Sequence, residues 1–273
     1  MGILPTHHAS GDHATSVRSR FSAEAPGYDG YATVQKRVAE RLVHHITTSP
    51  KLVLEIGCGS GQLTALLLAA LPDAHIDAID VSPPMIMEAN RKTPHNVRLK
   101  WHVADFLSFS SEHEFDLIAS ASALHWIHPI ESVFERIRRL LAPDGRFIFA
   151  IMVDGTLREL RDARLRVAPG KPPLGKLPRG AEVRQAATQT GFEIIECSED
   201  RLLESFDSSA AFLHAIHRLG VTGGDVSRSR NPLTRGEIIR LIEDYDAHYG
   251  DRNGRVVATY DVLYMHARQA AAR

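Results

Sequence analysis

Val53-Leu54-Glu55-Ile56-Gly57-Cys58-Gly59-Ser60-Gly61 places an apolar run, one acid and three alternating glycines side by side in the chain. The apolar run reads as a buried strand, and Gln62 to Leu71 reads as the helix that follows it. Glycines at alternate positions let the backbone turn sharply and approach a ligand with no Cβ in the way. The free N–H groups of the next helix face the same spot. A dinucleotide fingerprint G-x-G-x-x-G would need glycine where Gln62 stands, and here the third glycine comes one residue early. Glu55 would repel a pyrophosphate but attract the positively charged methionine portion of S-adenosylmethionine. Glu55, Gly57, Gly59 and Gly61 are therefore expected to cradle that cofactor, against the alternative of an ordinary strand-to-helix turn.

Outward from this turn, short apolar runs alternate with amphipathic stretches, the pattern of a parallel sheet covered by helices. Strands are expected over Lys51 to Ile56, His75 to Asp80, Val97 to Val103, Phe115 to Ser120 and Arg146 to Met152. Helices are expected over Gln62 to Leu71, Pro84 to Lys92 and Pro129 to Leu141, with Pro143-Asp144-Gly145 as a turn before the fifth strand. Beyond it come helices at Thr156 to Val167 and Ala181 to Thr190, a surface loop at Ala168 to Gly180, and a strand at Phe192 to Ser198. Helices at Ser208 to Leu219 and Thr234 to Tyr249 then precede a last strand, Ala258 to His266. The expected fold is α/β: a doubly wound, mostly parallel seven-stranded sheet, its binding crevice at the carboxyl ends of the strands. Residues 1–20 read as a flexible lead-in and 21–50 as a helical cap. Residues 51–273 read as the main domain, with a helical lid inserted at about 205–250, before the last strand.

The chain has 273 residues, enough to bury a full core, and a formal net charge of −1, which excludes a generally basic nucleic-acid binder. Its two cysteines, Cys58 and Cys197, lie far apart and outside any metal-ligand spacing, which suits a reducing compartment. No stretch approaches the ~20 apolar residues of a membrane span. Met1 to Arg20 has no apolar core of a signal peptide. A cytoplasmic monomer is expected, and His44, His45 and the N-terminal histidines read as surface residues rather than metal ligands.

Asp80 ends the second strand at the distance from the glycine turn expected of a carboxylate that holds both ribose hydroxyls, with Met85 then on the adenine face. The alternative makes Asp80 a helix N-cap and Met85 a core residue. Asp105 ends the third strand, where it can accept from the adenine amino group while the main chain at Phe106 reads the ring edge; otherwise it is a turn aspartate. Leu124-His125-Trp126-Ile127 follows the fourth strand. His125 could serve as a general base or touch the reacting methyl, and Trp126 could wall the pocket; the alternative is that both position the loop by packing.

Taken together, Glu55 with the glycine turn, Asp80, Asp105 and Leu124-His125-Trp126 resemble the class I S-adenosylmethionine-dependent methyltransferases, which have Rossmann-like folds. Several flanking segments are similar to a narrower family. They are Phe21-Ser22, Tyr28-Asp29, Val34-Gln35, Gly155 to Leu160, Leu219 to Thr222, Asn231 to Thr234 and Ala258 to Val262. That family is the malonyl-[acyl-carrier protein] O-methyltransferases, the BioC type of biotin synthesis. The resemblance implies methylation of the free carboxyl of a malonyl thioester, on acyl carrier protein or on coenzyme A, with Tyr28 and Gln35 covering the cofactor. Tyr28, His125 and an arginine from the lid are then candidates to hold the substrate carboxylate. An acidic carrier protein would dock on basic residues such as Arg158, Arg228 and Arg230, in segments where arginine and lysine outnumber acids. The alternative there is ordinary solvated helix faces. Two other activities stay open: methylation of another small carboxylate or phenol, and a methyltransferase-like assembly factor or protein hydroxylase.

Overall fold

The computed structural model describes residues 9–173, 175–221 and 231–270, apart from the side chains of 9–14 and 16. The described elements are α1 (Ala9–Glu24), a 3-10 helix (Ala25–Gly30), α2 (Thr33–Val43), β1 (Leu52–Ile56), α3 (Gln62–Ala70), β2 (His75–Asp80), α4 (Pro83–Lys92), β3 (Leu99–Val103), β4 (Phe115–Ala121), a 3-10 turn (Leu124–Trp126), α5 (Ile130–Leu140), β5 (Leu141–Met152), α6 (Arg158–Val167), α7 (Gly180–Gln189), β6 (Phe192–Phe206), α8 (Ser209–Arg218), α9 (Arg235–Tyr249) and β7 (Val256–Gln269). The seven strands form one sheet in the order β3-β2-β1-β4-β5-β7-β6. The pairings from β3 through β5 are parallel, and β7 runs antiparallel to both β5 and β6.

Strand alternation divides the core. Val53 and Ile76 point towards α2 and α3, into a cluster that also takes Phe212 of α8 and Tyr245 of α9. Leu54 and Ile79 point the other way, where Phe134 of α5 and Val183 of α7 cover the sheet. The chain leaves β1 in one direction to β2 and β3, then returns to β4 on the opposite side of β1. The crevice of a doubly wound sheet opens at that reversal, so the residues just after β1 and β4 face each other across it.

Three expectations are revised. The lead-in up to Arg20 is helical from Ala9, as part of α1. Val17 and Phe21, four residues apart on one helical face, both line the cavity below, so tertiary contact supports a helix whose own pattern is weak. The turn at Pro143 to Gly145 is an irregularity inside β5: Leu141 pairs with Phe115 and Arg146 already pairs with Leu117. The loop from Ala168 to Gly180 is anchored rather than superficial. Leu177 is buried in the core, and Pro178 O accepts from Asp154 N at 2.9 Å. In addition, β6 runs on to Phe206, eight residues past the expected end, because β7 pairs with it along its whole length.

Candidate active site

The turn after β1 takes the shape that its glycines permit. Gly57, Gly59 and Gly61 have φ values of 69°, 51° and 86°. At Gly57 the need is absolute, since an added Cβ would overlap that of Ala123 in the loop after β4. Ser120 Oγ donates to Ile56 O at 2.8 Å and ties the two crevice walls together. Gly57 N and Cys58 N both donate to Ile79 O, which fixes the turn against β2.

Below this turn lies a cavity of about 700 Å³, within the range of small-molecule and cofactor sites. Its lining includes Tyr28, Gln35, Glu55, the turn at Gly57 and Gly59, Asp80, Met85, Asp105, Phe106 and Trp126. Among the described residues, three acids line it and no lysine or arginine does. Such a wall favours a cationic ligand and opposes a pyrophosphate.

Glu55 is buried and accepts from Thr64 Oγ1 at 2.6 Å. Burial raises its pKa to about 8; the Thr64 hydrogen bond works against the rise and the charge of Asp80 adds to it. Asp80 is also raised by burial, opposed by backbone N–H groups. Its Oδ2 accepts from Gly59 N at 2.9 Å and its Oδ1 from Ser82 N at 2.8 Å. The N-cap of α4 is Ser82, which accepts from Met85 N, so Asp80 serves the glycine turn instead of capping the helix. Met85 is fully buried yet reaches the cavity. Asp105 Oδ1 accepts from Leu107 N at 2.9 Å, the local bond of a turn aspartate, while the residue also faces the cavity.

A second, smaller cavity of about 40 Å³ adjoins the first. Phe21, Tyr28, Gln35, Ser122 and Trp126 belong to both linings and form the junction. His125 is buried in the wall of the small cavity, 5.0 Å from the Trp126 ring, and does not line the large one. Phe21 meets Trp126 edge-on at 5.4 Å, which closes the junction from above. Burial and the neighbouring acids Asp80 and Asp29 push the Tyr28 phenol well above its ordinary range, so it remains a donor at neutral pH.

Two groups here had no site role in the sequence reading, Asp29 having entered it only as part of a family-like segment. Asp29 binds Ser60 Oγ and Lys92 Nζ at close range and accepts from Gln62 Nε2 at 3.2 Å. It thereby latches the N-terminal cap onto the glycine turn and α4. Ser122, just past β4, has φ of 56°, a left-handed backbone held by a bond from its N–H to Ala150 O.

Of the segment expected as a lid, residues 222–230 lie outside the described residues. Leu219, just after α8, and Val221 line the small cavity, whereas α9 packs on α6 and β7. The arginine-rich segment is not a free basic face. Arg166 pairs with Asp244, Lys171 with Glu237, Arg179 with Glu182 and Arg184 with Glu199, all within 2.7 Å. Arg158, half-exposed, approaches Glu159 at 3.5 Å. Arg228 and Arg230 lie outside the described residues. Among the described residues no group of His, Cys, Asp and Glu is arranged to hold a metal ion, and no helix is long and apolar enough to cross a membrane.

Comparison with known proteins fits this geometry. Residues 54–147 match the family model described as a methyltransferase domain. Over 94% of this chain and 98% of the other, the fold resembles the N-methyltransferase NodS from Bradyrhizobium japonicum in complex with S-adenosyl-L-homocysteine, at a TM-score of 0.54 and 17% identity. A methyltransferase bound to the Haloferax volcanii Trm112 activator gives a TM-score of 0.62 over 94% of this chain and 99% of that one, at 18% identity. The sheet, the glycine turn and the acid-lined cavity define a class I S-adenosylmethionine-dependent methyltransferase. Relatives named malonyl-[acyl-carrier protein] O-methyltransferase extend over nearly the whole length. The one from Geobacter sulfurreducens is 32% identical across 91% of this chain and 96% of its own. The one from Ilyobacter polytropus is 32% identical across 91% and 92%. The chain belongs to the malonyl-[acyl-carrier protein] O-methyltransferase family.

The cavity suits the cofactor on its own chemistry. Gln35 Oε1 is a buried acceptor with no partner among the described residues, beside Glu55 and bare glycine backbone. These groups suit an ammonium and a sulfonium, and Asp80 retains lone pairs for ribose hydroxyls.

Proposed function

We propose that this enzyme methylates the free carboxylate of a malonyl thioester carried on acyl carrier protein, an early step of biotin synthesis. One observation carries the reading. The likeness to relatives of that name continues far beyond residues 54–147, into the segments that build the small cavity. Ten of its thirteen lining residues, Phe21, Tyr28, Thr156, Leu177, Leu219 and Tyr260 among them, lie outside that stretch. The acceptor side is thus built mostly from the family-specific flanks and the cofactor side mostly from the common core.

In this reading Glu55, Gln35, Asp80 and the glycine turn hold the cofactor, with Met85, Asp105 and Phe106 around its adenine. Bound there, S-adenosylmethionine would supply an electrophilic methyl carbon for a carboxylate oxygen, with the thioether sulfur as the leaving group that keeps the electron pair and no proton to be moved. A malonyl carboxylate is already ionised at pH 7, so the protein need supply no base. Its task is to exclude water and align the acceptor, an effect worth up to ~7 to 11 kcal/mol. Phe21 and Trp126 shield the junction, and the protonated Tyr28 phenol offers a donor. A salt bridge to the acceptor would stabilise the charged ground state more than the neutralising transition state. Docking of the carrier is expected at Arg158 and the basic positions around Arg228 and Arg230.

Mass spectrometry after incubation with S-adenosylmethionine and malonyl carrier protein tests the reading. The expected product is a single added methyl on the malonyl group. Its absence while cofactor binding is intact would rule the assignment out. Methylation of a phenol with a steep rise at the pKa of a base would point to His125 and another acceptor.

A further inference from the structure

The junction of the two cavities carries a cost that the cofactor site does not explain. Ser122 is one of the non-glycine residues with a left-handed backbone, and its Oγ is buried with no partner among the described residues. A strained backbone and an unsatisfied hydroxyl at the same residue both disfavour folding, and such features concentrate where a ligand is bound. Ser122 lies where the sheet order reverses, on the lining of both cavities.

The small cavity has a distinct chemistry. Among the described residues its lining contains no lysine, arginine, aspartate or glutamate. Its polar side chains are Tyr28, Gln35, Ser122, His125, Thr156 and Tyr260, with the indole of Trp126 beside them. Thr156 Oγ1 already donates to Asp261 O and accepts from Asp261 N. Burial holds the Tyr260 phenol protonated. At about 10–15 Å³ for each water-sized occupant, the 40 Å³ of the cavity suits three or four atoms, the size of a carboxylate.

Resting on the function proposed above, we infer that the small cavity is the acceptor's carboxylate pocket and that Ser122 Oγ donates the hydrogen bond that positions it. A neutral hydroxyl can desolvate and orient the carboxylate without the strong ground-state stabilisation of a cation. The left-handed backbone aims that hydroxyl into the junction, where an extended residue would direct its side chain elsewhere. Ser122 is thereby an acceptor-binding residue, separate from the groups that hold the cofactor.

The test compares wild type with Ser122→Cys, Ser122→Ala and Ser122→Gly in three readouts: methyl-ester formation on malonyl carrier protein, cofactor affinity by calorimetry, and melting temperature. Ser122→Ala should lose about ten- to a hundredfold in kcat/KM for the acceptor, with cofactor Kd within about twofold. Ser122→Cys, a weak donor of similar size, should fall between. Ser122→Gly should lose as much activity as Ser122→Ala while melting no lower than wild type, because glycine accepts a φ of 56° without strain. Activity that follows melting temperature instead of donor strength would overturn the inference. So would near-wild-type transfer by Ser122→Ala, or a loss of cofactor affinity parallel to the loss of rate. A wild-type enzyme that forms no methyl ester would instead refute the proposed function itself, and the Ser122 assignment with it.

Discussion

Glu55→Gln should alter stability and cofactor binding in opposite directions with pH. In the free protein the Glu55 carboxyl is buried, and its pKa stands at about 8 against an ordinary 4.5. An acid whose folded-state pKa lies above its unfolded value holds its proton more tightly when folded. Its contribution is complete below the ordinary value and is lost as pH rises through about 8. Each tenfold change in proton activity in that window is worth about 1.4 kcal/mol. Between pH 6 and pH 9 wild type should therefore lose roughly 3 kcal/mol that the Gln variant keeps, or roughly 5 to 10 °C in relative melting temperature. Cofactor binding has the opposite sign, because a cation beside Glu55 favours the ionised form. Wild-type affinity should rise from pH 6 to 8, with proton uptake by buffer visible in calorimetry, whereas Glu55→Gln should bind more weakly at pH 8 and with little pH dependence. Thermal denaturation of the ligand-free proteins and calorimetry in two buffers of different ionisation enthalpy measure both effects. Identical pH profiles for wild type and variant would refute the burial argument, and binding without proton release would refute the charge argument.

The glycine turn and its latch give two more expectations. Gly57→Ala combines left-handed strain of about 1–2 kcal/mol with overpacking against Ala123 of about 1–3 kcal/mol. Gly59→Ala meets no neighbour within 4 Å and carries only the strain, so the first variant should melt clearly lower; equal melting temperatures would contradict the crowding. Asp29→Asn removes a half-exposed ion pair with Lys92 and should cost about 1 kcal/mol or less in stability. It should nonetheless speed cofactor release several-fold in stopped-flow measurements, an effect that high salt reproduces in wild type. An unchanged release rate would separate the latch from cofactor retention.

The parts legible in the chain were those with local causes. Strand alternation located β1, β2 and β4 to within a residue or so, because period and burial act over neighbouring positions. Asp80 and Asp105 stand out in the chain because a carboxylate at a strand end is visible in one dimension, and both line the large cavity. The charge balance of the arginine-rich segment was legible only in part. The excess of arginine there is real, but the acids that answer Arg166 and Arg184 come from Asp244 and Glu199, on α9 and β6. Likewise α1 has no strong pattern of its own and depends on the cavity it covers.

By itself the sequence determined the strand, the glycine turn that follows it and the acidic residues of the cofactor wall, because those depend on backbone permissiveness and residue type. Only the tertiary structure decided that Asp29 latches onto Lys92, that His125 faces the smaller cavity, and that Ser122 holds its hydroxyl at the junction. Those contacts join residues dozens of positions apart, and their energies depend on burial and aim, which exist only once the sheet has closed the distance.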